Sequence, residues 1–279
     1  MTTVAQQESN AEIGKTILAA GIRTNVHDVG SGRPVLMIHG SGPGVTAWAN
    51  WRLNMPVLVQ HFRVIAPDCV GFGYTDRPEG IRYDLATWMT HLIGVLDVLG
   101  VEQADIVGNS FGGGMALAIA ASHPDRVRRL VLMGSVGVEF DLTPGLDAVW
   151  GYESSLENMR KLLGIFAYDR KLVNDDLAML RFRAAARPGI SDAFASMFPA
   201  PRQRWIKNLA LDETAIAHLP HPTLIVHGRE DQVIPPSNAL RLFELIQNAE
   251  LHMFGHSGHW TQIEHKDAFN RLLVGFLSQ

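Results

Sequence analysis

A serine flanked by two glycines lies where an apolar strand pattern meets a helix pattern. The run Gly108-Asn109-Ser110-Phe111-Gly112 follows Asp105–Val107, which is typical of the end of a buried strand, and precedes the small, apolar residues 113–120. Glycines permit a tight crossing of strand and helix, because a Cβ there would collide with the other element. Such a turn exposes the serine hydroxyl above a helix N-terminus. We therefore predict that Ser110 is a nucleophile; a helix N-cap is the alternative.

An activated serine needs a base, and the base needs an acid that orients it. Asp231 follows an apolar strand pattern at 222–228, and His259 follows another at 250–254. Parallel strands place their carboxyl ends at one edge of a sheet. The order Ser, Asp, His, with each residue on a loop after a strand, predicts a catalytic triad.

Two neighbours compete for these roles. Glu230 is the alternative acid, and His256 is the alternative base, although Gly258 beside His259 favours the latter because it leaves the imidazole unhindered. A metal site is not expected, since the histidines of this region lack paired zinc-ligand spacing and cysteine partners. These histidines are His252, His256, His259 and His265.

Acyl chemistry also needs N–H donors aimed at the developing oxyanion. The backbone amide of Phe111, directly after the serine, is one candidate. The Gly-rich loop 39–44 follows a strand pattern, and by position it offers the amide of Ser41, with Gly42 as neighbour. This loop lacks the Gly-x-Gly-x-x-Gly pattern and the downstream acid of a dinucleotide site. No cofactor is expected.

Short apolar runs alternate with helix patterns on both sides of a helical middle segment. Runs that are apolar along their whole length indicate a parallel sheet covered on both faces. The runs are residues 34–39, 63–68, 105–107, 127–133, 222–228 and 250–254, and 23–29 reads as an edge strand. Helices are predicted over 85–99, 238–247 and the last residues of the chain. The sequence thus predicts an α/β fold with a mostly parallel, twisted sheet.

The alternation stops near Ser135 and resumes after Ala210. The intervening segment has helical patterns, no strand pattern and many aromatic residues, which suggests a cap over a pocket; ordinary helical packing is the alternative. We predict a core formed by residues 1–135 and 211–279, with an inserted helical cap at 136–210.

Composition narrows the class of protein. The formal net charge is −4, with no run of Lys or Arg, so neither nucleic acid nor an anionic membrane is an expected partner. The single Cys69 excludes an internal disulfide. Met1 to Lys15 lacks the apolar core of a secretory signal, and no apolar run approaches the ~20 residues that span a bilayer. A cytoplasmic enzyme with a small-molecule substrate is expected.

These residues resemble the α/β-hydrolase superfamily over essentially the whole chain, and within it the meta-cleavage product hydrolases, which cleave carbon–carbon bonds in aromatic degradation. Four features carry the narrower resemblance: loop 39–44 with Trp48 and Asn50 after it, Asn109 before the serine, the pair Arg181-Phe182, and Trp260 after the histidine.

The resemblance implies hydrolysis of a 2-hydroxy-6-oxo-hexa-2,4-dienoate. The dienol is protonated at C5, and attack at the C6 carbonyl then releases 2-hydroxypenta-2,4-dienoate and a carboxylic acid. His259 would move the proton and activate Ser110 or water. The implied substrate-binding donors are Arg181 (with Arg183 and Arg187 as competitors for the carboxylate), Asn50, Asn109 and Trp260.

Three expectations complete the interpretation. Bulky residues in the inserted segment favour a small C6 substituent; they are Phe140, Trp150, Phe166 and Met197. The resemblance implies a homo-oligomer. A carboxylesterase or lactonase with the same triad is the nearest alternative, and a hydrolase-fold receptor that binds without turnover is the alternative from another class.

Overall fold

The computed structural model describes residues 10–279, so most of the N-terminal segment used to argue against a secretory signal lies outside the described residues. The strands are β1 (Lys15–Ala19), β2 (Ile22–Gly30), β3 (Pro34–Ile38), β4 (Arg63–Pro67), β5 (Ala104–Asn109), β6 (Val127–Met133), β7 (Thr223–Gly228) and β8 (Ala249–Phe254). They form one sheet in the order β1-β2-β4-β3-β5-β6-β7-β8.

The sheet is parallel from β4 to β8, and only β1 and β2 pair antiparallel with their neighbours. The carboxyl ends of β3, β5, β7 and β8 therefore meet at one edge, where the loops that follow them begin. The predicted fold class is confirmed. The prediction of an edge strand at 23–29 is wrong in one respect, because β1 pairs outside β2 and forms the edge.

Helices cover both faces of the sheet. They are α1 (Ala47–Trp51), α2 (Met55–Leu58), α3 (Leu85–Val98), α4 (Phe111–Ser122), α5 (Pro144–Trp150), α6 (Leu156–Phe166), α7 (Asp175–Ala185), α8 (Ile190–Met197), α9 (Gln203–Leu209), α10 (Glu213–Ala217), α11 (Pro236–Leu245), α12 (Thr261–Glu264) and α13 (Lys266–Leu277). Successive strand residues point to opposite faces, so Leu36 packs on the side of α3 and α4 and Met37 on the side of α1, α2 and α13.

The segment between β6 and β7 is helical, from α5 to α10. Its helices do not pack alike. Buried residues of α5, α8 and α9 belong to the same apolar cluster as the sheet and α4, whereas Met159 and Leu163 of α6 form a small separate cluster with Ala178 and Ala185 of α7. The helices α6 and α7 thus share a small apolar cluster, while Leu162 of α6 packs in the main one.

Candidate active site

Ser110 lies in a strained turn between β5 and α4. Its backbone has φ 57° and ψ −116°, a region that non-glycine residues avoid. The glycines on either side leave no room for a side chain: a Cβ at Gly108 would lie 2.3 Å from the Gly112 carbonyl oxygen, and one at Gly112 would lie 2.4 Å from that of Ile38. The Ser110 amide donates to the Met133 carbonyl at 2.8 Å, which ties the turn to β6.

Asp231 and His259 are hydrogen-bonded to each other. His259 Nδ1 lies 2.7 Å from Asp231 Oδ2, and Asp231 Oδ1 accepts the amides of Val233 at 2.7 Å and Ile234 at 3.0 Å. Burial alone would raise the pKa of Asp231, but the positive charge and hydrogen bond of His259, together with His227 Nε2 at 3.3 Å, hold that pKa well below its usual range. Asp231 is therefore placed to orient the His259 ring as a carboxylate.

The competing acid and base lie elsewhere. Glu230 is paired with Arg229 at the surface and accepts the Ser257 amide. His256 is exposed, and its Nδ1 lies 3.1 Å from the Tyr168 hydroxyl. Neither side chain is hydrogen-bonded to Asp231 or His259.

The inserted helices hold the His259 loop in place. The Phe166 carbonyl at the end of α6 accepts the His259 amide at 2.8 Å and the Trp260 amide at 3.3 Å. The Phe166 ring also stacks on both aromatic side chains, with centroid distances of 5.9 Å to His259 and 5.2 Å to Trp260. Contacts with the inserted helices thus hold the candidate base in place.

Ser110 and His259 line one cavity of about 320 Å³ beneath α5, α6 and α7. Ser41 and Gly42 lie on its wall, and their amide N–H groups donate to no protein acceptor among residues 10–279. Phe111 is the first residue of α4, where an N–H has no acceptor within its own helix. Within the described residues the three proposed oxyanion donors thus have N–H groups without a protein acceptor, and two of them share the cavity wall with Ser110. The Ser41 hydroxyl oxygen accepts Trp150 Nε1 at 3.1 Å.

The cavity contains Arg181 but neither of the two competing arginines. Arg183 is exposed, and Arg187 stacks on Tyr74 outside the cavity wall. Arg181 Nη1 lies 3.2 Å from Glu12 Oε1, and its Nη2 donates to the Gly44 carbonyl. Burial lowers the pKa of Arg181, and the Glu12 carboxylate opposes that shift.

The other predicted substrate-binding residues also reach the cavity. Asn50, Asn109 and Trp260 all line it. The sequence interpretation treats Asn109 as a donor to substrate, but one of its N–H groups is already used, because Nδ2 donates to Asn50 Oδ1 at 2.8 Å.

Comparisons with known proteins identify relatives of this chain. The family model described as "alpha/beta hydrolase fold" matches residues 33–266. The chain belongs to the α/β-hydrolase family. It is 61% identical to a 2-hydroxymuconate semialdehyde hydrolase of Pseudomonas sp. strain CF600, over 98% of this chain and 96% of that protein. It is also 61% identical to a 2-hydroxy-6-oxo-2,4-heptadienoate hydrolase of Pseudomonas putida, over 96% of this chain and 98% of that protein.

A solved structure of a relative has the same overall fold. The meta-cleavage product hydrolase CumD of Pseudomonas fluorescens IP01, as a point mutant, superposes with a TM-score of 0.96 at 62% identity, covering 96% of this chain and 99% of that one. Within its family the chain is therefore a meta-cleavage product hydrolase, and the predicted family and enzyme class are confirmed.

Polar residues that sequence reasoning missed complete the wall of this hydrolase's cavity. They are Arg52, Gln262 and Lys266. Gln262 is the second residue of α12, three positions after His259, and no pattern in the sequence marked it as part of the site. Of the four bulky residues expected to narrow the pocket, Phe166 lies on the wall, whereas Phe140, Trp150 and Met197 do not.

Neither a metal nor a membrane is indicated by the described part of the chain. Among residues 10–279, no three His, Cys, Asp or Glu side chains are grouped so as to hold a metal ion. Within the same range, no helix has the length and apolar character needed to span a bilayer.

Proposed function

We propose that this hydrolase cleaves the C5–C6 bond of 2-hydroxy-6-oxo-hexa-2,4-dienoates, with Ser110, Asp231 and His259 as its triad. The observation that carries the proposal is the guanidinium of Arg181, whose side chain is 13% exposed, on the wall of the cavity that Ser110 and His259 also line. A guanidinium there binds the C1 carboxylate of such a substrate, whereas an ordinary ester needs no such partner.

The reaction proceeds in two stages. The 2-hydroxyl loses its proton and C5 gains one, which gives the C2 ketone; His259 moves this proton. Water, directly or through Ser110, then adds to the C6 carbonyl, and the amides of Phe111 and of Ser41 or Gly42 stabilise the oxyanion. The C5–C6 bond breaks, its electrons restore the dienol, and a carboxylic acid and 2-hydroxypenta-2,4-dienoate leave.

A small C6 substituent is part of the proposal. The two relatives at 61% identity are named for a semialdehyde, whose C6 carries hydrogen, and for a heptadienoate, whose C6 carries methyl. Apolar side chains of the inserted helices line the cavity, among them Leu146, Val149 and Phe166. We expect these to surround the C6 end, because the charged Arg181 is needed at the carboxylate end.

A substrate panel tests the proposal. The measurement is kcat/KM for ring-fission dienoates with hydrogen, methyl, isopropyl or phenyl at C6, beside p-nitrophenyl acetate. We expect the hydrogen and methyl substrates to be the best of the panel. Turnover of p-nitrophenyl acetate that far exceeds that of every dienoate would identify an esterase or lactonase instead.

The proposal includes a cytoplasmic location and a homo-oligomeric state. The location is supported by the single cysteine, Cys69, which is buried and free. The oligomeric state rests on the family resemblance alone, and size-exclusion chromatography with light scattering tests it.

A further inference from the structure

Three side-chain amides form a connected cluster on the cavity wall. Asn50 Oδ1 accepts the Gly40 amide at 3.2 Å and Asn109 Nδ2 at 2.8 Å. Gln262 Nε2 donates to the Asn50 backbone carbonyl at 3.4 Å. The exposed fractions of the three residues are 9%, 3% and 1%, in the order Asn50, Asn109, Gln262.

Backbone groups fix the orientation of every amide in this cluster. The Gly40 N–H can only donate, so Asn50 must present its oxygen to it, and Asn109 must present its nitrogen to that same oxygen. The Asn50 carbonyl can only accept, so Gln262 must present its nitrogen. None of the three amides can be flipped without placing two donors or two acceptors against each other.

This orientation leaves one donor and two acceptors without protein partners. Asn50 Nδ2, Asn109 Oδ1 and Gln262 Oε1 are buried and have no hydrogen bond among the described residues. A buried polar group without a partner destabilises the folded protein, so a ligand that pairs with it gains affinity. A carboxylate can satisfy only the donor, because it has no hydrogen to give. A hydroxyl can satisfy the donor and one of the acceptors.

We propose that Gln262 is a further substrate-binding residue whose Oε1 accepts a hydrogen bond from the enol 2-hydroxyl, while Asn50 Nδ2 donates to the same oxygen. This inference rests on the proposed function, which supplies a substrate with that hydroxyl. Asn109 is bonded covalently to Ser110 and so lies at the C6 end of the substrate. Gln262 contacts Asn50 at its backbone carbonyl, whereas Asn109 contacts the Asn50 side chain, and we therefore assign Gln262 to the C2 end.

The inference divides recognition of the polar end of the substrate between two groups. Arg181 binds the carboxylate, and Gln262 recognises the neutral hydroxyl. The enzyme should therefore distinguish a 2-hydroxydienoate from the same dienoate without its hydroxyl, and this discrimination should depend on Gln262.

The test compares two competitive inhibitors, 2-hydroxypenta-2,4-dienoate and penta-2,4-dienoate, on the wild-type enzyme and on Gln262→Met. Methionine retains the length of the side chain but has neither amide group. In the wild type we expect the hydroxylated ligand to bind about tenfold more tightly. In Gln262→Met the ratio of the two inhibition constants should fall to near one, and the inhibition constant of penta-2,4-dienoate should change little. Ile263→Val, on the same cavity wall, is the matched control and should keep the ratio.

Other outcomes overturn the inference. A role of Gln262 in packing alone would weaken both inhibitors equally and leave their ratio unchanged. A ratio near one in the wild type would refute hydroxyl recognition without any variant, so the test holds even if Gln262→Met fails to fold. Loss of the ratio in Asn109→Leu but not in Gln262→Met would identify Asn109 as the acceptor. Wild-type enzyme that hydrolyses no dienoate would refute the proposed function as well, whereas normal turnover with an unchanged ratio refutes only this inference.

Discussion

At the scale of single residues, the proposed nucleophile and the proposed base are held by separate contacts. Ser110 sits on the strained turn, whereas the His259 ring is held independently by Asp231 and by the Phe166 carbonyl. Removing the serine hydroxyl should therefore leave the histidine in place. The proton transfer of the first stage and the bond cleavage of the second can then be observed apart.

Ser110→Ala should ketonise the dienol but not cleave it. Cleavage should fall by at least about 10³-fold, because the alanine cannot attack or position water, while His259 still moves the proton. Rapid mixing with absorbance detection at the dienol band resolves the two phases. A variant in which neither phase is altered would show that Ser110 has no role in the reaction.

Asp231→Asn should lower kcat by about 10³- to 10⁴-fold with little effect on folding. An asparagine in this position can present an N–H to the imidazole, which favours the wrong tautomer of His259. Steady-state kinetics and circular dichroism are the measurements. Glu230→Gln is the matched control and should retain near wild-type kcat, since Glu230 is bonded to Arg229 and Ser257 and not to His259. Equal losses in both variants would contradict the assignment of Asp231.

At the scale of elements, a carboxylate joins the inserted helices to the His259 loop. Glu264 at the end of α12 accepts the Asp169 amide at 2.8 Å and the Gly258 amide at 2.7 Å. Asp169 follows α6, and Gly258 precedes the base. Together with the Phe166 carbonyl, this side chain holds the loop against the insertion.

Glu264→Ala should lower both stability and catalysis. The loss of two charge-assisted hydrogen bonds should reduce the free energy of unfolding by about 2 kcal/mol. A looser His259 loop should lower kcat by about tenfold, because catalysis requires a fixed geometry. Urea unfolding and steady-state kinetics measure the two effects. Glu157 on α6 is an exposed glutamate paired with Lys161, and Glu157→Ala should change neither quantity. An unchanged kcat in Glu264→Ala would show that this contact does not contribute to catalysis.

Strands and helices with strong local sequence patterns were predictable, whereas strand β1, whose turn has no clear sequence signal, was not predicted. The predicted strand at 127–133 coincides with β6, and the helix predicted at 85–99 differs from α3 by one residue. β1 was missed because its hairpin turn is Ala20-Gly21, with φ of 49° and 78°. Two-residue hairpin turns of this kind favour Asn or Gly, so an alanine in the left-handed region gives no sequence signal.

At the scale of the whole molecule, the proposed triad could be named from the sequence because each of its members follows a strand and parallel strands end together. The residues that complete the site were not, because they come together only through tertiary packing. Glu12, which pairs with Arg181, is 169 positions away in the sequence. Nothing local to either residue marks the pair, nor the amide cluster that Asn50 forms with Gln262.

Two buried histidines of the core also have consequences for the whole molecule. His39 Nε2 accepts the Cys69 amide at 2.9 Å, and His91 Nδ1 accepts the Val70 amide at 3.3 Å. A proton on either acceptor nitrogen would face an N–H group. Burial lowers the pKa of each histidine to about 4. In the opposite direction, burial raises the pKa of Asp68 to about 6, against the hydrogen bonds that its carboxylate accepts.

The folded state should lose stability as the pH falls from 6.5 to 4. In this window the unfolded chain binds protons at His39 and His91 that the folded chain does not, which costs about 3 kcal/mol for each histidine at pH 4. Asp68 acts in the opposite sense, because its folded form binds a proton below pH 6, and this returns about 2.5 kcal/mol at pH 4. Urea unfolding at pH 7, 5.5 and 4.5 should show the net loss of stability.

His91→Asn retains an acceptor for the Val70 amide but cannot titrate, so its stability should fall less steeply with acidification than that of the wild type. The exposed His218→Gln should keep the wild-type slope, and an equally steep slope in His91→Asn would mean that the acid sensitivity arises elsewhere.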